Sequence, residues 1–157
     1  MRTLNYNREK AVEYARTWAL KRNPKYYDFS LIGGDCTNFC SQILFAGAPV
    51  MNYDKWYYFS LNSRAPAWTG VQEFFNFITS NNGLGPFGKL ADKSELLVGD
   101  FIQLGNENGF YHMVTITDFN GDIPLVCSHS YDRLDYPITN YYYERLRFIH
   151  VIGANDD

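Results

Sequence analysis

Two cysteines stand four residues apart in the stretch GGDCTNFCSQ, residues 33–42, and the whole chain has three cysteines. Asp35 is a favourable helix N-cap, so a helix that follows it carries Cys36 in its first turn. Unpaired backbone N–H groups and the positive end of the helix dipole favour a thiolate there. The same N–H groups could hold the oxyanion that forms when sulfur attacks a carbonyl carbon. The pattern predicts a nucleophile at Cys36, and the alternative is a small buried residue.

Cys40 lies one helical turn further along, on the apolar face, and is predicted to pack in the core. Adjacent turns of a helix hold two cysteines too far apart for a disulfide between Cys36 and Cys40. Zinc bound by these two cysteines with His112 and His129 is conceivable, but the close Cys-x-x-Cys pairing of structural zinc sites is missing. We therefore expect no metal and no organic cofactor.

A thiolate needs a base, and the chain has three histidines. His112 opens the strand HMVTITD after a polar, glycine-containing loop, which is a suitable place to meet the start of a helix. His129 ends the next strand, beyond a predicted hairpin turn at residues 120–121. A turn centred there would make His112 and His129 cross-strand neighbours, one transferring the proton and the other holding its tautomer. His150 lies inside the last apolar strand and is expected to be structural.

The hydrophobic periodicity places helices first and strands last. It predicts helices at 6–22 and from 35 to 47, and a third that begins with a capping box formed by Thr69 and Gln72. Strands follow at 97–104, 111–118, 123–130 and 145–152. The glycine-rich stretch NNGLGPFGK lacks the features of a phosphate loop and is assigned no ligand. This order predicts one α+β domain, residues 1–157, with N-terminal helices packed on a C-terminal antiparallel sheet.

The composition indicates which kinds of molecule the chain could bind. Aromatic residues make up 18% of the chain, more than a core needs, so Trp56, Tyr57 and Trp68 are predicted to wall a binding groove. A net charge of −3 argues against nucleic acid as a partner. No run is long enough for a membrane span, and the N-terminus has no apolar signal core. The chain as given is expected to be soluble, with action outside the cell or at the cell wall if a signal has been removed.

Several motifs together resemble the bacterial putative amidase domain family, which belongs to the papain-like clan that includes the NlpC-type cell-wall hydrolases. The resemblance covers residues 6 to about 152. The matching stretches are GGDCTNFCSQ, Asn23-Pro24-x-Tyr26, Ala67-Trp68-Thr69, Gly99-Asp100, Tyr111-His112-x-Val114 and Ser128-His129-Ser130.

The resemblance implies a papain-like, NlpC-like fold in which the cysteine heads a helix packed on an antiparallel sheet. Residue by residue, it implies Cys36 as nucleophile, His112 as base and His129 as the residue that orients the base. Polar alternatives to His129 are Asp118, Asn120 and Asp132. Tyr26 and Asp35 are further candidates for substrate contact, and Tyr26 or Tyr27 could add a hydroxyl at the oxyanion site.

These observations predict a cysteine-dependent amidase or endopeptidase that hydrolyses peptide amide bonds, with peptidoglycan stem peptides as the implied substrate class. The expected partner is thus a peptide or peptidoglycan-like substrate, and the chain is expected to be a monomer. A non-catalytic module on the same fold that binds wall peptides is the alternative. Cys127 has no assigned role; it could pack beside the site or pair with another thiol when oxidised.

Overall fold

Helices occupy the first half of the chain and most strands the second, as the hydrophobic periodicity predicts. The computed structural model describes residues 1–157. The four α-helices are α1 (Arg8–Trp18), α2 (Cys36–Gly47), α3 (Pro66–Thr69) and α4 (Val71–Ser80). The nine strands are β1 (Arg2–Leu4), β2 (Tyr58–Ser60), β3 (Ser63–Arg64), β4 (Gly85–Ala91), β5 (Phe101–Asn106), β6 (Gly109–Asn120), β7 (Ile123–Ser128), β8 (Arg133–Pro137) and β9 (Arg145–Asp156). The predicted α+β class with an antiparallel sheet is confirmed.

The main sheet has seven strands, and every pairing in it is antiparallel. Its strands run β1-β9-β5-β6-β7-β8, and β4 pairs with β9 on the edge away from β5. The sequence prediction missed β4, because its glycines and proline are typical of a loop. The long strand β9 supplies enough backbone groups to pair with β4 on one side and with β5 and β1 on the other.

The helices begin and end for local reasons. The side chain of Asn7 accepts a hydrogen bond from the backbone N–H of Lys10 at 3.0 Å and so caps the start of α1. The predicted capping box of Thr69 and Gln72 is wrong. A proline at the first position of α3 begins a short helix earlier, and Gly70 separates it from α4.

Helix α2 packs on β6 and is buried along almost its whole length. The Cys40 sulfur lies 3.4 Å from Oγ1 of Thr115 on β6, and Cys40 is fully buried, so its predicted core position is confirmed. The opposite face of the sheet carries a second, smaller apolar cluster that includes Ile102, Leu104 and Val114. Where α2 covers it, the sheet therefore lies between this helix and the second apolar cluster.

The hairpin between β6 and β7 forms at the predicted turn, but with a different register. Thr115 pairs with Cys127, and a bulge shifts the register between Ile116 and Asp118. Strand β7 ends at Ser128, and the cross-strand partner of His112 is Leu104 on β5. The expectation that His112 and His129 are cross-strand neighbours is therefore wrong. No helix of the chain is long and apolar enough to span a bilayer.

Candidate active site

A cavity of about 470 Å³ opens at the start of α2, and both Cys36 and His112 line it. The other large side chains around it are mainly tyrosines: Tyr111, Tyr131, Tyr141 and Tyr142. A larger depression of about 780 Å³ lies beside α1, but polar side chains line it and it contains no nucleophile. The smaller cavity is thus the one that joins the predicted nucleophile to the predicted base.

The chain enters α2 through a turn that only glycine accommodates without strain. Gly33 and Gly34 have φ of +80° and +100°, in the left-handed region. The backbone N–H of Asp35 then donates to Oγ of Ser130 at 3.0 Å, which fastens this turn to the segment after β7. As a result Cys36 occupies the first position of α2, 8% exposed at the edge of the cavity.

The Cys36 thiol is held in its neutral form. Burial raises the pKa of the thiol, and hydrogen bonds from Thr37 and from the backbone of Met113 only partly offset that effect. The sulfur lies 3.8 Å from Oγ1 of Thr37. The sequence argument from the helix dipole predicted a thiolate, and this is corrected: desolvation outweighs the stabilisation at the helix start.

His112 is also neutral at pH 7, because burial lowers the pKa of its imidazole to about 4. Its ring packs near that of Tyr141, with centroids 5.8 Å apart. Neither ring nitrogen of His112 makes a hydrogen bond, and the Cys36 thiol is not bonded to it. The structure therefore brings a neutral thiol and a neutral base to one cavity without joining them.

His129 is fully engaged elsewhere. Its Nδ1 lies 2.6 Å from Oδ2 of Asp35, its Nε2 lies 2.8 Å from the backbone oxygen of Trp18, and its ring stacks on Phe39 with centroids 3.7 Å apart. With both nitrogens occupied, His129 does not reach His112. The predicted contact by which His129 would orient the base is absent.

The hydrogen-bond partners of His129 use both of its ring nitrogens. A carbonyl oxygen only accepts, so Nε2 of His129 carries a proton that it donates to Trp18. Nδ1 is occupied by the Asp35 carboxyl group. His129 therefore has no free acceptor for another side chain.

Asp35 anchors the start of α2 and does not face the cavity. Besides His129, its carboxylate accepts from the backbone N–H of Phe29 at 2.8 Å and from the amide of Asn38 at 2.9 Å. It is 1% exposed and makes no side-chain N-cap bond. The expectation that Asp35 contacts substrate is corrected, because three buried donors already occupy its oxygens.

The three polar alternatives to His129 also lie away from the cavity. Asp118 is exposed and pairs with Arg16 at 3.5 Å, and Asn120 is exposed at the hairpin turn. Asp132 makes a bidentate pair with Arg22 at 2.9 and 3.0 Å. None of them lines the cavity. His112 therefore has no polar side chain bonded to it in this structure.

Trp56 and Trp68 belong to the core, which corrects their prediction as a groove wall. Both are fully buried. The Trp56 indole donates to Oγ of Ser41 at 3.1 Å, and that of Trp68 donates to Oδ1 of Asn38 at 3.0 Å. Each buried indole N–H thus finds a partner on α2, so the two rings support the helix from the side away from the cavity.

Tyr26 and Tyr57, the other two predicted substrate contacts, are partly buried and do not line the cavity either. The Tyr26 ring stacks on Trp68 with centroids 6.1 Å apart. The tyrosines at the cavity were not singled out by the sequence prediction, although the run Tyr141-Tyr142-Tyr143 and the position of Tyr131 next to the histidine motif were signals. Tyr131 and Tyr142 are 84% and 82% exposed, unusual for large aromatic side chains.

The remaining histidine and cysteine side chains form no second candidate catalytic or metal site. Nδ1 of His150 is hydrogen-bonded to Oδ2 of Asp100 at 2.8 Å, as expected of a structural histidine. No group of three or more His, Cys, Asp or Glu side chains is arranged to hold a metal ion. Cys127 is buried beside Thr117, with 3.7 Å between its sulfur and Oγ1.

Comparisons with known proteins agree with the motifs. A family model described as a putative amidase domain matches residues 5–152. The chain is 30% identical over 138 residues to the uncharacterized protein YhbB of Bacillus subtilis (strain 168), a match that covers 83% of this chain. The match covers 43% of YhbB, so the chain spans less than half the length of that relative. No solved structure matches the chain.

Proposed function

Because the chain belongs to the putative amidase domain family, we propose that it hydrolyses amide bonds with Cys36 as the nucleophile and His112 as the base. The observation that carries the proposal is the cavity shared by these two side chains. The family supports amide hydrolysis, and the cysteine mechanism is our inference from the cavity.

The neutral state of both groups defines the first step. His112, with a pKa of about 4, is an unprotonated acceptor at pH 7. It takes the thiol proton as the sulfur attacks the carbonyl carbon, and the oxyanion forms next to the first backbone N–H groups of α2. Substrate in the cavity would bring the thiol, the carbonyl and the imidazole into line, since catalytic hydrogen bonds often tighten only in the complex.

The later steps use the same two residues. The imidazolium gives its proton to the departing amine, the C–N bond breaks, and a thioester remains on Cys36. Water then attacks the thioester with His112 again as base, which releases the carboxylic acid and restores the thiol. Every proton that moves in this cycle is held by His112 between steps.

We further propose a papain-like fold and peptide amides, in particular peptidoglycan stem peptides, as the substrate class. The support for the fold is that Cys36 heads a helix packed on the antiparallel strand β6, as the resemblance implies. The support for the substrate is that resemblance alone. The bond cleaved can be identified by mass spectrometry of peptidoglycan fragments after incubation with the protein.

The decisive variant is Cys36→Ala, with Cys127→Ala as the matched control because Cys127 is a buried thiol that does not line the cavity. We expect Cys36→Ala to lose hydrolysis by at least about 1000-fold, as removal of a nucleophile does, and Cys127→Ala to keep it. Equal activity of Cys36→Ala and the wild type would refute the proposal.

The absence of a hydrogen bond between thiol and imidazole favours one alternative, a module that binds wall peptides without cleaving them. That function needs the cavity and its tyrosines but no activated thiol. It predicts that the wild type and Cys36→Ala bind purified peptidoglycan equally and that neither releases fragments.

A further inference from the structure

Two arginines on one face of β9 have no carboxylate partner. Arg145 and Arg147 are two positions apart, so their side chains point to the same side of the strand. Neither guanidinium lies within 4 Å of a carboxylate. Of the six other arginines of this acidic chain, Arg64 and Arg133 also lack a carboxylate partner, and four are paired: Arg2, Arg8, Arg16 and Arg22.

Aromatic rings hold the two guanidinium groups in place. The guanidinium carbons of Arg145 and Arg147 lie 4.6 and 4.0 Å from the centre of the Phe110 ring. That of Arg147 also lies 3.6 Å from the centre of the Phe75 ring, so it is clamped between two aromatic faces. The Phe110 ring thus contacts two like charges, and a bound anion would offset their repulsion.

Neutral amides orient Arg147 without cancelling its charge. Its Nε donates to Oε1 of Gln103 at 2.7 Å, and its Nη2 donates to Oε1 of Gln72 at 2.9 Å. Its Nη1 and the whole guanidinium of Arg145 make no hydrogen bond. Burial, together with the smaller effect of the Arg145 charge, lowers the pKa of Arg147 to about 10. Arg147 therefore remains cationic at pH 7, and both side chains have N–H donors free for a ligand.

The opposing strand leaves Arg145 uncovered. Gly105 on β5 faces Arg145 in the ladder and has no side chain to cover it. A Cβ there would lie 2.9 Å from Cα of Phe110, so the close approach of β6 requires glycine at this position. Phe110, whose ring contacts both guanidinium groups, directly precedes the cavity residues Tyr111 and His112 on β6.

We propose that Arg145 and Arg147 form a binding site for a carboxylate group. The unbonded guanidinium fork of Arg145 matches a carboxylate through two parallel hydrogen bonds, and the free Nη1 of the pre-ordered Arg147 is a further donor that loses little freedom on binding. The ligand class is a peptide with a free α-carboxylate. That this peptide is also the amide substrate rests on the proposed function.

Binding is measured on the Cys36→Ala variant, so that turnover does not interfere. The probes are N-acetyl-alanyl-alanine, which has a free carboxylate, and its C-terminal amide, at constant ionic strength. The readout is the shift of the arginine Nε–H resonances in NMR titrations. We expect the acid to shift the Arg147 resonance and to bind at least about tenfold more tightly than the amide.

Variants then test which arginines provide the site. Arg145→Gln changes an exposed side chain that makes no hydrogen bond, and Arg147→Lys keeps the charge but removes the fork. Both should reduce the preference for the acid to less than about threefold. Arg2→Gln removes an exposed arginine of β1 that pairs with Asp156 at the far end of β9. This variant should leave the preference for the acid unchanged.

Equal binding of the acid and the amide, or a preference that survives Arg145→Gln, would overturn the carboxylate site. Inorganic phosphate that bound more tightly than the peptide acid would also overturn it and would point to phosphate-bearing ligands. Because binding is read in a variant without the thiol, failure of this site is distinguishable from failure of the amidase proposal, which the hydrolysis assay tests separately.

Discussion

Asp35 is the side chain on which the start of α2 most depends, and replacing it should cost much of the stability of the fold. Asp35→Ala removes the acceptor of three buried hydrogen bonds, of 2.8, 2.9 and 2.6 Å, from Phe29, Asn38 and His129. Removing one partner of a buried charged pair typically costs about 3–5 kcal/mol. For a chain of this length, that corresponds to a fall in Tm of roughly 6 to 20 °C.

Asp35→Asn separates the charge from the hydrogen bonds. The asparagine oxygen can still accept from Phe29 and Asn38, and its amide can donate to Nδ1 of a neutral His129. Nε2 of His129 keeps its proton and its bond to Trp18. Phe29, Asn38 and His129 then all retain a partner, and only the attraction between Asp35 and Nε of Arg22, 3.6 Å apart, is lost, so we expect a cost of about 1–2 kcal/mol.

Urea unfolding followed by circular dichroism gives the free energy of unfolding of each variant. Comparison is valid only if the slope with urea is unchanged. Asp118→Ala is the control, since it removes an exposed carboxylate from a surface ion pair and should cost less than about 1 kcal/mol. A loss below about 1 kcal/mol for Asp35→Ala, or equal losses for Asp35→Ala and Asp35→Asn, would refute the role assigned to this carboxylate.

Three further predictions follow from the cavity. The pKa of His112 is about 4 in the folded protein and near 6.5 in the unfolded chain, so the unfolded state binds more protons between these values and stability falls as pH drops from about 6.5 to about 4. In urea unfolding across this range, the wild type should lose up to about 3 kcal/mol more of its free energy of unfolding than His112→Gln, and parallel pH profiles would contradict this. Iodoacetamide should modify Cys36 and spare Cys40 and Cys127, which are fully buried. The rate of Cys36 modification should still rise above pH 8.5, because burial raises the pKa of the Cys36 thiol. Mass spectrometry that finds Cys40 modified first would contradict the assigned exposure. Gly34→Ala should cost about 1–2 kcal/mol in urea unfolding, since φ at this position is +100°, and a variant as stable as the wild type would show that the turn tolerates a side chain.

The different fates of Cys36 and Cys40 could be predicted from sequence because they depend on local geometry. A helix that starts at an N-cap determines which cysteine lies in the first turn and which lies one turn inside. The protonation state of Cys36 could not be predicted in the same way. It depends on burial by segments distant in sequence, including Met113 on β6, and a helix start seen alone shows only the favourable dipole.

The aromatic residues show the limit of composition as a guide. The sequence predicts that Trp56 and Trp68 wall a groove because the chain has more aromatic residues than a core needs. Their indole N–H groups instead bond to Ser41 and Asn38, two polar side chains of α2. A helix with buried polar residues can thus draw tryptophans into the core, and this pairing is visible only once the tertiary contacts are known.

His129 shows how a small shift in register changes the chemistry available to a residue. An ideal hairpin about residues 120–121 would set it opposite His112, but the bulge in β6 and the end of β7 at Ser128 place it under α2. There it bonds to Asp35, the residue immediately before Cys36. The interaction that fixes His129 therefore also fixes the backbone one residue from the sulfur. If the proposed hydrolysis exists, Asp35→Asn should retain more of it than Asp35→Ala, in the same order as their stabilities, because both properties depend on the same turn.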